Sequence, residues 1–318
     1  MGDQMIAVAF PGQGSQRPGM GKDFHDDIAV SRQTYEEASD ALGYDVAGLC
    51  FSEDPKLNLT EYTQPCIVTT EIAMLRGLRE RYGFSPTLFG GHSLGEFTSL
   101  VAAGVAPLPK ILKIVQTRGR LMQTAVPVGI GGMAAVIAAN LNVDVMRQAL
   151  NGLPIDVANV NSAHQVVISG EAASLPDAEK NLQDAIKPGA DEKPLRFVTL
   201  NVSAPFHSRF MRAIEEPFRQ TLKSEAEHLN CEKVENVTSN YTGGFHSASA
   251  DGIINKLVAQ LSNTVLWRDN MNLLASKANA VYEVGPGRPL KDFFKTIGVD
   301  CQSITMLSSA EKMFAQDS

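Results

Sequence analysis

Five consecutive residues, Gly91-His92-Ser93-Leu94-Gly95, carry the strongest chemical signal in the chain. They fit G-x-S-x-G, a strand-to-helix turn that presents a serine hydroxyl as a nucleophile. Leu88-Phe89 leads in as a strand end would, Glu96 to Ala103 follows as a helix would, and Gly104 supplies a stop. The turn leaves no room for side chains at Gly91 and Gly95. It lifts the Ser93 hydroxyl to a helix N-terminus, where N–H dipoles favour developing negative charge.

A serine hydroxyl needs a base at neutral pH, and histidine is the usual one. Six histidines are available. His25 and His228 sit in charged helical contexts that read as solvent-facing, His246 lies in a polar Gly/Ser loop, and His164 begins a strand. His92 adjoins Ser93, so its side chain points away from the hydroxyl. His207 follows Val202-Ser203-Ala204-Pro205-Phe206, an apolar strand end running into a turn, a place where functional groups are held rigidly. A buried, hydrogen-bonded histidine would give the same pattern, so the residues alone leave the base open. No acidic residue sits at an obvious strand end between Ser93 and His207. A backbone carbonyl is the alternative means of orienting the ring.

The elements that must position these groups alternate between strand and helix, which implies α/β layering with a mainly parallel sheet. Met5 to Phe10 reads as a buried first strand and Thr63 to Arg81 as a long helix. Pro109 to Ala125 reads as another helix, with Ile111, Leu112, Val115 and Leu121-Met122 near helical spacing. From the glycine-rich Val126 to Gly132 the texture changes. Met133 to Ala138, Gln165 to Gly170 and Arg196 to Val202 read as strands, with helices at Val143–Leu150 and Leu175–Ala185. This is the order of a small ferredoxin-like α+β subdomain at 126–200, inserted in a large α/β-hydrolase-like catalytic domain of residues 1–125 and 201–318. In the second part of that domain, Phe206 to Ser224, Ile253 to Leu261 and Trp267 to Ala275 read as helices. Lys233 to Ser239 and Ala280 to Val284 read as strands, and Glu311 to Ser318 as a frayed end.

A chain of 318 residues can bury a large core. A net charge of −7 argues against nucleic-acid binding, which needs clustered Lys and Arg. No apolar run spans a bilayer, and Met1 to Phe10 lacks the form of a signal peptide. Cys50, Cys66, Cys231 and Cys301 lack metal-ligand spacing and read as reduced thiols of a cytoplasmic protein. The Asn-x-Ser/Thr strings at Asn58, Asn201, Asn236 and Asn240 then carry no message about glycosylation.

Over nearly its whole length the chain resembles the malonyl-CoA:acyl carrier protein transacylases, of the acyltransferase family shared by fatty acid and polyketide synthesis. The motifs come in family order. They are Phe10 to Gln16, the elbow Gly91 to Glu96, Thr117 to Met122 around Arg118, Asn159 to Ser162 with Gln165 to Gly170, Ala204 to Ser208, Gln260-Leu261 with Trp267, and Glu283 to Gly287. The resemblance implies acyl transfer from malonyl-CoA to the phosphopantetheine thiol of an acyl carrier protein, through a malonyl-serine on Ser93 with His207 as base. It places the oxyanion hole at the N–H groups of Gln13 and Leu94, and the histidine-orienting carbonyl at Gln260. Arg118, Phe206, Asn161 and His92 fall to substrate binding. Arg118 would clamp the malonyl carboxylate, and the Phe206 ring would crowd a branched α-carbon. No cofactor or metal is implied, and a monomer is expected. Fatty acid biosynthesis is the expected pathway, with a discrete polyketide malonyltransferase as the alternative and a carrier-protein thioester hydrolase further off. The chain departs from the family pattern at Thr264, where proline is common, and across Arg288 to Lys295.

Overall fold

The computed structural model describes residues 5–190, 192–202 and 204–315. Met1 to Gln4, part of the stretch weighed above as a signal peptide, lies outside them.

The first sheet is built from short apolar strands. β1 (Ile6–Phe10) lies at its centre, and from Ala7 onward every residue in it is buried. β2 (Leu88–Gly91) flanks it on one side, and both pair in parallel, with Phe10 opposite Gly91. The second sheet follows in sequence: β3 (Gly131–Ile137), β4 (Ile155–Val160), β5 (Gln165–Glu171) and β6 (Arg196–Thr199). β7 (Ala280–Val284) and β8 (Cys301–Ile304) return to the first, giving the all-parallel order β2-β1-β7-β8. A parallel sheet must be covered on both faces, which is why its strands are apolar throughout rather than alternating. The helix Thr60–Tyr82 packs on it and buries residues around most of its circumference, so it shows no single apolar stripe.

The second sheet is antiparallel with order β4-β5-β3-β6, and helices Val143–Ala149 and Leu175–Ala185 lie between its strands in sequence. That is the β-α-β-β-α-β succession of the ferredoxin-like unit. It has its own core around Val136, Met146, Ile168 and Leu182. The α/β fold with a parallel sheet and a smaller α+β unit agrees with the sequence reading, with additions. β4 had not been anticipated. It tethers the second sheet to the rest of the chain, for Val265 donates to the Ala158 carbonyl and Val160 to that of Val265. Thr264, the departure from proline, donates its hydroxyl to the Val157 carbonyl at 2.7 Å.

Several local expectations need correction. Lys233–Ser239 is not a strand. Cys231–Asn236 is a 3-10 helix, and only Val237 bridges to Phe89 of β2. Phe206–Ser224 is not one helix either. A turn at His207 and a 3-10 segment, Arg209–Ile214, precede the α-helix Glu215–Lys223. Pro217 explains the late start, since proline fits only in a helix's first turn. The end is not frayed through its length: Leu307–Phe314 is a helix, and Phe314 stacks on Tyr82 at 4.9 Å. Gln316 to Ser318 lie outside the described residues. Among the described residues no helix is long and apolar enough to cross a membrane, and all four cysteines are free.

Candidate active site

The elbow forms because two backbones meet with no space for a Cβ. One on Gly91 would lie 2.1 Å from the Gly95 carbonyl carbon, and one on Gly95 would lie 2.2 Å from the Phe10 carbonyl oxygen. β1, β2 and helix Gly95–Ala102 are thereby locked together, with Ser93 at the crossing. Ser93 has φ of 51° and His207 of 58°. A side-chain-bearing residue in this left-handed region costs on the order of 1–3 kcal/mol and persists only where surrounding contacts fix it.

Such contacts surround both residues. Ser93 Oγ donates to His207 Nε2 at 2.7 Å. His207 Nδ1 donates to the Gln260 carbonyl at 2.8 Å, which fixes the tautomer and leaves Nε2 as acceptor. The ring is buried, and burial, with the Arg118 charge second, pulls its pKa down to about 3. The His207 imidazole is therefore neutral at neutral pH, the form that can accept a proton. Labelling of Ser93 by a neutral phosphonate should hold its rate from neutral pH down to about pH 5, below the ordinary histidine range, and fall only as the ring protonates. A midpoint at the usual histidine value would show that the base is another group or an open, hydrated ring.

Arg118 is 1% exposed, although it projects from an otherwise amphipathic helix, Leu108–Thr124. One amino group donates to Ser93 Oγ at 3.0 Å and to Gln260 Oε1 at 2.8 Å. The guanidinium carbon lies 5.2 Å from the Phe97 ring centroid. Among the described residues its Nε has no partner. Burial lowers the Arg118 pKa to about 10, which keeps the cation at neutral pH. A buried cation with an unsatisfied donor is a site prepared for an anion.

A cleft of about 830 Å³ opens over these groups, lined among others by Gln13, His92, Arg118, Asn161 and Phe206. His92 turns away from Ser93, donating from Nε2 to Asn161 Oδ1 at 2.7 Å, and Asn161 donates to Gln165 Oε1 at 2.9 Å. The two residues thus seal the cleft wall against the second sheet, with His92 packed edge-on to Trp267. Phe206 is 8% exposed beside His207. Leu94 is the N-cap of the elbow helix, and Gln13 sits in the loop after β1. Neither backbone N–H is engaged among the described residues.

Four residues of this cluster were not singled out from sequence. Glu96, fully buried, accepts from the Asn240 N–H at 2.9 Å, from Gln260 Nε2 at 2.8 Å and from His246 Nε2 at 2.8 Å. His246 does lie in the loop, but its side chain is 0% exposed and turned inward as a partner of Glu96. Asn240 and Asn270 lie behind the elbow, both fully buried. The available signal was Glu96 itself, an acid opening an otherwise apolar helix. Gln260 contributes more than its carbonyl: its amide also donates to the Ser93 carbonyl at 3.0 Å.

A serine–histidine pair oriented by a backbone carbonyl, with a buried arginine beside the serine hydroxyl, is an arrangement that can support acyl transfer next to an anion pocket. Residues 8–290 match the acyl transferase domain, and the chain belongs to that family. It is 33% identical to the malonyl CoA-acyl carrier protein transacylase of Bacillus subtilis strain 168, over 95% of this chain and 93% of that one. The crystal structure of the corresponding Clostridium perfringens protein is similar with a TM-score of 0.87 at 32% identity, over 98% of this chain and 96% of that one. A malonyl-transacylase solved in complex with a holo type II polyketide synthase acyl carrier protein gives 0.88 at 31% identity, covering 98% and 99%.

Proposed function

We propose that this chain is a malonyl-CoA:acyl carrier protein S-malonyltransferase acting through a malonyl-Ser93 intermediate. The observation that carries the reading is Ser93 Oγ held at 2.7 Å from His207 Nε2 and 3.0 Å from the Arg118 guanidinium in one cleft. Ser93 Oγ attacks the thioester carbonyl while His207 Nε2 takes its proton. The N–H groups of Gln13 and Leu94 receive the oxyanion; their lack of other partners among the described residues supports this. Collapse expels the CoA thiolate, which takes the proton from His207. The phosphopantetheine thiol of an acyl carrier protein then gives its proton to His207, attacks the malonyl ester and releases Ser93, which recovers the proton. The Gln260 carbonyl steadies the imidazolium in both halves.

Arg118 pairs with the free carboxylate of the malonyl group, and Phe206 crowds a substituent on its α-carbon. His92 and Asn161 shape the wall along which the acyl group lies. Each proton is carried by His207 and each charge met by a side chain or N–H group, so the mechanism calls on no metal or cofactor. The large catalytic domain comprises 1–125 and 201–318, with 126–200 inserted; the separate core of the second sheet supports that division. We further propose a cytoplasmic monomer serving fatty acid biosynthesis. Incubation with malonyl-CoA alone, followed by peptide mass mapping, should place one malonyl group on Ser93. Addition of a holo carrier protein should discharge it to the carrier thiol. Release of free malonate faster than transfer would instead identify a hydrolase. Comparison of fatty acid and polyketide carriers as acceptors tests the pathway.

A further inference from the structure

A side-chain amide continues the backbone ladder that holds the reactive serine. Thr238 donates its N–H to the Phe89 carbonyl at 2.9 Å, beside the parallel bridge between Phe89 and Val237. Past that rung the side chain of Asn240 takes over. Its Nδ2 donates to the Gly91 carbonyl at 2.8 Å, and its Oδ1 accepts the Ser93 N–H at 2.6 Å. One planar amide therefore spans the residues on both sides of His92 and closes the turn in which Ser93 sits at φ of 51°. Asn240 is fixed in its turn. Its own N–H donates to Glu96 Oε2 at 2.9 Å, the second Nδ2 hydrogen goes to Asn270 Oδ1 at 3.0 Å, and Asn270 Nδ2 donates to the Ser239 carbonyl at 3.0 Å. Both asparagines are 0% exposed.

We propose that Asn240 is a positioning residue that sets the direction of Ser93 Oγ toward His207. The proposal rests on the reading of Ser93 as the nucleophile. A left-handed serine relaxes unless something holds its peptide, and a buried N–H left without a partner drives that relaxation. Rotation of the Ser93 peptide swings Cβ, and with it Oγ, away from Nε2. A displacement of about 1 Å at a reacting atom can cost on the order of 10²-fold in rate. The same contact commits the Ser93 N–H, which reserves the Leu94 N–H, the next along the turn, for the substrate oxygen.

The test uses the full chain with Asn240→Ala and Asn240→Asp. Aspartate keeps an acceptor for the Ser93 N–H but has no hydrogen for the Gly91 carbonyl. Three quantities are measured: the fraction of molecules labelled at Ser93 by a fluorophosphonate at end point, the single-turnover rate of malonyl-serine formation, and KM for malonyl-CoA. Asn240→Ala should label to completion, acylate roughly 10²-fold more slowly per labelled site, and keep KM. Asn240→Asp should fall between it and the wild type. An unchanged rate per site, with only the labelled fraction reduced, would make Asn240 structural and overturn the proposal. If Asn240→Ala does not fold, Asn270→Ala decides. It removes the brace on Nδ2 and the donor to the Ser239 carbonyl while leaving the Asn240 amide itself in place, and a wild-type rate per site in it would equally overturn the proposal. Failure of the wild type itself to acylate at Ser93 would sink the nucleophile assignment instead, so the two failures are separable.

Discussion

Replacing Ser93 with alanine abolishes the covalent malonyl adduct and, with it, transfer to the carrier thiol. The expectation follows from the geometry at the elbow, where one hydroxyl meets both the His207 acceptor and the Arg118 donor. The fold should survive. Alanine keeps the backbone N–H that donates to Asn240, and the Gln260 amide still reaches the Ser93 carbonyl. Intact-mass analysis after incubation with malonyl-CoA is the direct check, with circular dichroism to confirm folding. An adduct of wild-type stoichiometry on the variant would mean that a different residue carries the acyl group.

Replacing Arg118 separates substrate classes. Arg118→Ala should lose malonyl transfer by about 2–5 kcal/mol in kcat/KM, the range for truncating one partner of a buried charge pair. Acetyl transfer should be spared or should gain, because an uncharged acyl group has nothing to give the guanidinium. Arg118→Lys should recover only part of the malonyl rate. An ammonium cannot form the planar two-pronged contact that a guanidinium makes with a carboxylate. The measurement is kcat/KM for malonyl-CoA and acetyl-CoA on the three proteins. A parallel fall for both substrates would make Arg118 a structural support of Ser93 and Gln260.

What could be read in advance depended on whether the physical constraint was local. The elbow was legible because its requirement, glycine where two backbones touch, is written within five residues. β1 and the paired helices of the second sheet were legible from apolar runs and period. Arg118 was not. Its helix has a normal amphipathic pattern, and the burial comes from Phe97 and from Gln260, 142 positions away. Only family resemblance drew attention to it. The helices Lys22–Asp27, Ala29–Leu42 and Val46–Phe51 were passed over because the longest of them buries Ser31, Thr34, Tyr35 and Ala38, which make no aliphatic stripe. Asn240 was dismissed as a stray glycosylation string. Its hydrogen bonds stand in for a strand that Lys233–Ser239 does not form, and a side chain substituting for backbone has no periodicity to detect.

The partners of Ser93 lie far along the chain: His207 is 114 residues on, Asn240 147 and Gln260 167. The serine itself emerges early during synthesis, on a strand that can pair with β1 as soon as both exist. Long-range pairings close late, after their loop entropy has been met. A nascent chain therefore carries an inert hydroxyl until the segment around residues 240–260 has packed behind it. Reactivity at this one atom requires that segments as distant as residue 260 have joined the elbow, which keeps earlier partly folded states from consuming thioesters through it.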